Sequence, residues 1–154
     1  KGAEERGQAE AIAQCLEVFS GLRTPVIAIV LSEGGSGGAL AFSVADKILM
    51  LENAIYSVLS PEGFASILWK DEKRAEEAAE VMELTAADLK RKGIIDTIIK
   101  EPLGGAHQNF DLVCDHLDKE LYRELLQLNM LSGDTLVEKR YAKFRKMGLA
   151  YENM

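Results

Sequence analysis

Four glycines and one serine follow a short apolar segment, in the order Gly34-Gly35-Ser36-Gly37-Gly38. Glycine loses much backbone entropy on folding, so such a cluster indicates a sharp turn or the close approach of another molecule. If a helix begins here, its first amide groups have no intrahelical acceptor and create a positive potential. Those amides suit an anion, or an oxygen that becomes anionic in a transition state.

Several kinds of site contain glycine clusters, and close packing of a strand on a helix produces them without any ligand. A phosphate-binding loop needs a lysine after its last glycine, and none follows Gly38. A dinucleotide-binding motif counted from Gly35 fails because Leu40 stands where its third glycine is needed. The nucleophile motif G-x-S-x-G does fit, with Ser36 as the nucleophile.

A serine hydrolase built on Ser36 would need a histidine and an acid from later in the chain, such as His107 or His116 with Asp96 or Asp111. Only 35 residues precede Ser36, too few for the strands that normally build such a sheet. Capping of the following helix is therefore the expected role of Ser36. His107 follows a Gly-Gly turn and is expected either to line a site or to fix the loop, whereas His116 is expected to be structural.

Strands and helices alternate before and after the glycines, which predicts an α/β protein. The β-branched run Val26–Leu31 predicts a buried parallel strand, and Ser60-Pro61-Glu62 predicts a helix start with Ser60 as cap. Trp69 is expected in the core. Further strands are predicted at 48–51, 56–59 and 94–99, and further helices at 9–21, 39–42, 71–83, 85–93, 110–128 and 134–147.

The composition fits one globular domain, with 154 residues of which 47% are hydrophobic. We expect residues 1–109 to form an α/β core and residues 110–154 a helical extension of the same domain. The chain begins with Lys1 and opens on a helix, so we expect a fragment of a longer protein.

Charge and cysteine usage restrict the possible partners. The formal net charge is −7, which argues against nucleic acid as the main partner. The apolar run 26–31 is too short to cross a bilayer, and no secretory leader is present, so we expect a cytoplasmic protein without a membrane partner. Cys15 and Cys114 are expected to be free, buried thiols, and no spacing predicts a metal site.

Five segments of the chain, taken together, are more specific than any single motif: they are residues 2–8, 33–41, 56–63, 65–70 and 101–107. In their order and spacing they resemble the carboxyltransferase α subunits of bacterial multisubunit acetyl-CoA carboxylases. Members of that family are longer, and this chain resembles their C-terminal half. Two positions depart from the family pattern: Phe64 replaces a small residue, and Gln108 replaces an arginine.

The resemblance implies a crotonase-like fold, a spiral of β-β-α units. It also implies transfer of a carboxyl group from carboxybiotin, on the biotin carboxyl carrier protein, to acetyl-CoA, forming malonyl-CoA for fatty acid biosynthesis. The expected partner is a β subunit that carries zinc, in an α2β2 heterotetramer, with biotin carboxylase in the larger complex. No covalently bound cofactor and no metal are expected on this chain.

The resemblance also assigns roles to individual residues. The Gly37 and Gly38 amides would stabilise negative charge on the biotin ureido oxygen. Substrate contacts are expected from Gly34 and Gly35, which shape the turn, and from Ser36 and His107.

Two other functions stay open at the level of sequence. A crotonase-type hydratase or isomerase acting alone would need an acidic base, for which Glu62 is the candidate. A non-catalytic assembly protein would use the long C-terminal helices.

Overall fold

The computed structural model describes residues 2–148, in which helices and strands alternate. The helices in this range are α1 Gln8–Gly21, α2 Ser36–Ser43, α3 Pro61–Trp69, α4 Ala75–Met82, α5 Ala86–Arg91, α6 Phe110–Leu128 and α7 Gly133–Lys146. The strands are β1 Ile27–Val30, β2 Glu33–Gly35, β3 Lys47–Leu51, β4 Ile55–Ser57 and β5 Thr97–Ile99. None of these helices is both long and apolar enough to cross a membrane.

The strands form two small parallel sheets. One sheet has the order β1-β3-β5, with Ile29 opposite Leu49 and Leu49 opposite Thr97. The other pairs β2 with β4. The chain therefore contains two successive units, β1-β2-α2 and β3-β4-α3. In each unit the first strand joins the larger sheet, the second strand joins the smaller sheet, and a helix follows. This arrangement is the repeated β-β-α unit that was expected.

The core is centred on β3, the middle strand of the larger sheet. Ile48, Leu49 and Met50 are almost wholly buried. A strand in the middle of a parallel sheet is covered on both faces, which explains its uninterrupted apolar sequence. Val113 of α6 belongs to the same buried cluster, and Leu117 packs against it. The C-terminal helices thus pack on the α/β core.

Two aspartates repeat the same role at the amino ends of neighbouring strands. Asp46 directly precedes β3, and its Oδ2 accepts a hydrogen bond of 2.8 Å from the Val26 amide. Asp96 directly precedes β5, and its Oδ2 accepts one of 2.7 Å from the Ile48 amide. Each carboxylate satisfies a backbone donor at the start of the neighbouring strand and so ties consecutive units together.

Arg140 of α7 is buried against the end of α1. Its guanidinium bonds both oxygens of Asp46, at 3.1 Å from Nε to Oδ1 and 2.8 Å from Nη2 to Oδ2. Nη1 donates to the carbonyls of Phe19 (2.7 Å) and Leu22 (2.9 Å), and Nη2 donates to Thr24 (3.2 Å). The Phe19 and Leu22 carbonyls lie at the negative, C-terminal end of the α1 dipole, where a cation is favourable.

Lys143, one turn further along α7, binds the second aspartate. Its Nζ donates to the Asp96 carboxylate and, at 3.2 Å, to the Asp46 carbonyl. Burial lowers the pKa of Lys143, although the ion pair with Asp96 opposes that shift. Helix α7 therefore reaches the amino ends of both β3 and β5.

The predicted helices at 9–21, 110–128 and 134–147 are confirmed to within one or two residues. The single helix predicted at 71–83 is wrong, because a short 3₁₀ turn, Glu72–Arg74, capped by Asp71, precedes α4. The strand predicted from Ile94 begins only at Thr97. The Ile94 amide instead bonds the Leu89 carbonyl, closing α5 after Gly93, whose φ is +69°.

The buried pair yields a stability prediction. Replacing Arg140 with alanine leaves the Asp46 carboxylate buried without its cation, so we expect the free energy of unfolding to fall by about 3–5 kcal/mol. Urea denaturation measures this change. The control is Arg145→Ala, at an exposed position of the same helix, which should change stability by less than about 0.5 kcal/mol. Equal midpoints for the two variants would contradict the role of Arg140.

Candidate active site

The glycine segment begins in β2, where Gly34 is packed and Gly35 is open. A Cβ atom at Gly34 would lie 3.0 Å from Tyr56 Cδ2 and 3.2 Å from Val30 Cγ1, closer than side chains normally allow. A Cβ atom at Gly35 would meet no atom within 4 Å. Gly34 is therefore required for the close approach of β2 to β4.

Ser36 makes the turn from β2 into α2. Its φ is +58°, in the left-handed region that costs an L-residue about 1–2 kcal/mol. The expectation that Ser36 caps α2 is wrong: it is the first helical residue, and Gly35 occupies the cap position without a side-chain hydrogen bond. The backbone strain thus falls on the serine rather than on a glycine of the cluster.

Gly37 and Gly38 are the second and third residues of α2, so their amides have no intrahelical acceptor. A Cβ atom at Gly38 would meet nothing within 4 Å, whereas one at Gly37 would lie 3.5 Å from Ile12 of α1. The first turn of α2 contains no acidic residue that would neutralise its positive end. The arrangement can donate hydrogen bonds to an oxygen that carries negative charge.

His107 lies in a tight turn that follows β5. The Gly105 amide donates to the Pro102 carbonyl at 2.9 Å, and the left-handed Gly104 and Gly105 have φ values of +90° and +104°. A 3₁₀ turn, Ala106–Gln108, then presents the exposed His107 side chain. The Gly-Gly turn expected before this histidine is confirmed.

Glu101 connects this turn to the loop between β3 and β4. Its carboxylate accepts from the Ala106 amide at 2.8 Å and from the Asn53 amide at 2.6 Å. Glu52 lies beside it and accepts from the Glu101 amide at 3.3 Å. A hydrogen bond from Lys100 lowers the pKa of Glu52 below its usual value, which keeps that carboxylate ionised.

The topology places the glycine segment and the His107 turn at the same edge of the molecule. Because β1, β3 and β5 are parallel, the segments that leave them emerge at one edge of the sheet. Residues 31–38 leave β1, and residues 100–108 leave β5. Ligands of open α/β sheets bind outside the carboxyl ends of the strands, so this edge is the candidate site.

The described residues assemble no Ser-His-Asp triad around Ser36. His107 Nε2 lies 2.8 Å from Gln108 Nε2. His116 Nδ1 lies 2.9 Å from the Lys100 carbonyl, the structural role expected of it. Because neither histidine is hydrogen-bonded to Ser36, the described residues provide no general base for a serine hydrolase. Between residues 2 and 148, no three metal-ligating side chains come close enough to hold a metal ion.

The two aromatic residues of α3 form a surface cluster. Trp69 is only half-buried, so its expected place in the core is wrong. The Trp69 ring packs edge-on against the Phe64 ring, with 5.5 Å between the ring centroids. The Arg74 guanidinium lies over the face of the Trp69 ring, with its Cζ atom 4.1 Å from the ring centroid. Phe64, the departure from the family pattern, therefore helps to fix α3 against the segment before α4. Glu62 lies exposed in the first turn of α3.

Cys15 and Cys114 are both free, as expected, but each is half-buried rather than buried.

Solved structures with the same fold define the class of this protein. A Pseudomonas malonate decarboxylase heterotetramer in complex with coenzyme A superimposes with a TM-score of 0.70 at 18% identity, covering 100% of this chain and 63% of that one. An enoyl-CoA hydratase from Mycobacterium avium subsp. paratuberculosis gives a TM-score of 0.53 at 19% identity, covering 90% and 58%. The chain has the crotonase-like fold expected for it.

The sequence then identifies the family within that fold. The acetyl co-enzyme A carboxylase carboxyltransferase-like family matches residues 1–148, and the chain belongs to this family. The acetyl-coenzyme A carboxylase carboxyl transferase subunit alpha of Clostridium botulinum (strain Eklund 17B) is 60% identical over 147 residues, which cover 96% of this chain and 54% of the relative. The chain thus spans about half the length of the curated relatives it matches.

Sequence reasoning missed the acidic residues that position these turns. The signal for Asp46 and Asp96 was present, since each stands immediately before an apolar strand. Glu101 belongs to the segment 101–107 that resembles the family, but its bond to the Asn53 amide depends on tertiary structure and has no signal in the sequence.

The glycine segment yields a prediction with a matched control. Gly34→Ala forces a methyl group against Tyr56 and should lower the free energy of unfolding by about 1–3 kcal/mol. Gly35→Ala places the same group in open space, on an extended backbone with φ −138°, and should leave stability within about 0.5 kcal/mol. Chemical denaturation of both variants measures the difference. A larger loss for Gly35→Ala would show that the packing of β2 has been misassigned.

Proposed function

We propose that this chain is part of the α subunit of an acetyl-CoA carboxylase carboxyltransferase. It would transfer the carboxyl group of carboxybiotin, carried on the biotin carboxyl carrier protein, to acetyl-CoA, and so form malonyl-CoA for fatty acid biosynthesis in the cytoplasm. Family membership over residues 1–148 supports the reaction class. The observation that carries the chemistry is the free helix start at Gly37 and Gly38.

The proposed role of these two amides follows from where charge develops. Release of CO2 from carboxybiotin leaves negative charge on the ureido oxygen, and the Gly37 and Gly38 N–H groups would donate to that oxygen. The biotin nitrogen then removes a proton from the acetyl methyl group, and the resulting enolate attacks CO2. On this scheme no side chain of the chain acts as base. Loss of one such preorganised donor costs about 10²–10³-fold in rate in other enzymes.

The remaining site residues would shape the substrate pocket. Gly34 and Gly35 hold the approach to the helix, and the left-handed backbone of Ser36 orients the amides that follow it. His107 would contact a substrate from the turn after β5. The substrates carry biotin and coenzyme A, so no covalently bound cofactor is required on this chain.

Activity on this proposal requires a β subunit, which would contribute zinc and the second oxyanion site in an α2β2 assembly, with biotin carboxylase in the larger complex. Exposed apolar side chains on α1 and α2, two helices that meet at Gly37, support a further polypeptide here. Phe42 of α2 is 67% exposed, Val18 of α1 is 59% exposed and Leu40 is 43% exposed. Large exposed apolar side chains on neighbouring helices favour a protein interface.

The division of the chain is also part of the proposal. Residues 1–109 would belong to the carboxyltransferase core and residues 110–154 to a helical extension of the same domain. Packing of Val113 and Leu117 on the strands supports the single domain. Residues 149–154 of that extension lie outside the described residues.

The oxyanion role is tested by Gly38→Val in the intact enzyme with its β subunit. The new side chain enters open space and blocks access to the amides, so we expect carboxyl transfer to fall by at least about 10²-fold. The stability should be retained, because valine is no worse than glycine inside a helix.

The matched control is Gly21→Val, where the new side chain also meets nothing within 4 Å. Gly21 ends α1, outside the site, so this variant should keep near-normal transfer. Near-normal transfer by a folded Gly38→Val enzyme would remove the amides from the mechanism.

A further inference from the structure

The His107 side chain is paired with that of its neighbour Gln108. Gln108 Nε2 lies 2.8 Å from His107 Nε2. An amide nitrogen can donate but cannot accept a hydrogen bond. His107 Nε2 is therefore the acceptor in this pair, and the proton of the neutral ring lies on Nδ1.

The turn before the pair is shaped to accommodate both side chains. A Cβ atom at Gly104 would lie 3.2 Å from Gln108 Cγ, and one at Gly105 would lie 3.4 Å from His107 Cε1 and Nδ1. Both glycines also have left-handed φ angles. A larger residue at Gly104 would crowd the Gln108 side chain, whereas one at Gly105 would only touch the His107 ring. At both positions a larger residue would strain the backbone.

We propose that Gln108 is a positioning residue that holds His107 as the Nδ1–H tautomer, so that the ring donates one hydrogen bond to a carbonyl or carboxylate oxygen of the substrate. This inference rests on the proposed function for the identity of the substrates. It goes beyond the proposed function by assigning a tautomer to His107 and a role to Gln108.

Two structural features favour a substrate role for this donor. The ring is exposed at the strand edge that also bears the glycine segment. The turn is also held in place by Glu101, because the Glu101 carboxylate accepts a hydrogen bond from the amide of Ala106, the residue directly before His107. A neutral ring with one N–H suits a carbonyl-type oxygen, which both the acyl-CoA substrate and the biotin substrate contain.

The tautomer is tested by ¹⁵N NMR of histidine-labelled protein, using the intact subunit. The His107 signals are assigned by their loss in His107→Gln. We expect the Nδ1–H pattern for His107, the same as for His116, whose Nδ1 faces the Lys100 carbonyl and must donate to it. An Nε2–H pattern for His107 would overturn the proposal.

The role of Gln108 is tested by Gln108→Glu, which keeps the shape but presents only acceptors to the ring. We expect His107 to lose its Nδ1–H tautomer as the neutral form, with protonation at Nε2, while His116 is unchanged. Gln108→Leu removes the bond without adding charge and should give a mixture of tautomers. Gln127→Glu makes the same change at an exposed position of α6 and should leave the His107 spectrum as it was.

The substrate role is tested by steady-state kinetics of the same variants with the β subunit, in transfer from malonyl-CoA to a biotin derivative. Loss of one hydrogen bond should raise the KM of one substrate about tenfold with little change in kcat. A rise for malonyl-CoA places the acyl-CoA oxygen at His107, and a rise for the biotin derivative places the biotin oxygen there. Gln127→Glu should match the unsubstituted enzyme.

A changed tautomer in Gln108→Glu with both KM values unchanged would overturn the substrate role. Absence of transfer by the unsubstituted enzyme would instead contradict the proposed function, and the substrate role of His107 would fall with it. The NMR experiment tests the tautomer of His107 whatever the kinetic measurements show.

Discussion

The buried ion pair between Arg140 and Asp46 joins residues 94 positions apart in the chain. The two side chains are 1% and 4% exposed. Removing such charges from water is costly, and good geometry and further hydrogen bonds must offset the cost. Here the guanidinium also binds the carbonyls that end α1, and Asp46 also binds the Val26 amide ahead of β1. One interaction therefore fixes α1, β1, β3 and α7 together.

The candidate site depends on this ion pair indirectly, through the strands and helices that the pair holds in place. Strand β1 leads through two residues into β2, and β2 leads directly into the strained Ser36 and the free amides of α2. Helix α1, held at its C-terminal end by Arg140, also packs against α2, where Ile12 lies next to Gly37. The direction of the two amides is thus set by elements whose positions the buried pair determines. Glu101 performs a similar local function for the His107 turn.

Much of the fold could be predicted because its signals are local. The β-branched run before the glycines, the Ser60-Pro61 helix start and the long apolar stripe of α6 each appear in consecutive residues, and all three elements are present. The helix break at Asp71 was missed because charge periodicity continues through it, while the cap depends on one side-chain hydrogen bond, from the Lys73 amide to Asp71.

The site could be predicted only as far as residue types allow. A glycine cluster indicates a turn, and it does not indicate that Ser36 takes the left-handed conformation. The packing that requires a glycine at position 34 but not at position 35 depends on Tyr56, which lies opposite Gly34 because β2 pairs with β4. The Arg140–Asp46 pair has no sequence signature, because nothing local distinguishes Arg140 from the other cations of α7. Long-range pairing of charges is decided by tertiary structure.

The measurement that tests the central claim most directly is carboxyl transfer from malonyl-CoA to a free biotin derivative, with the intact α subunit alone, the β subunit alone and the two together. The account predicts transfer only when both subunits are present. Transfer by the α subunit alone, or no transfer by a stable complex of confirmed size, would contradict it.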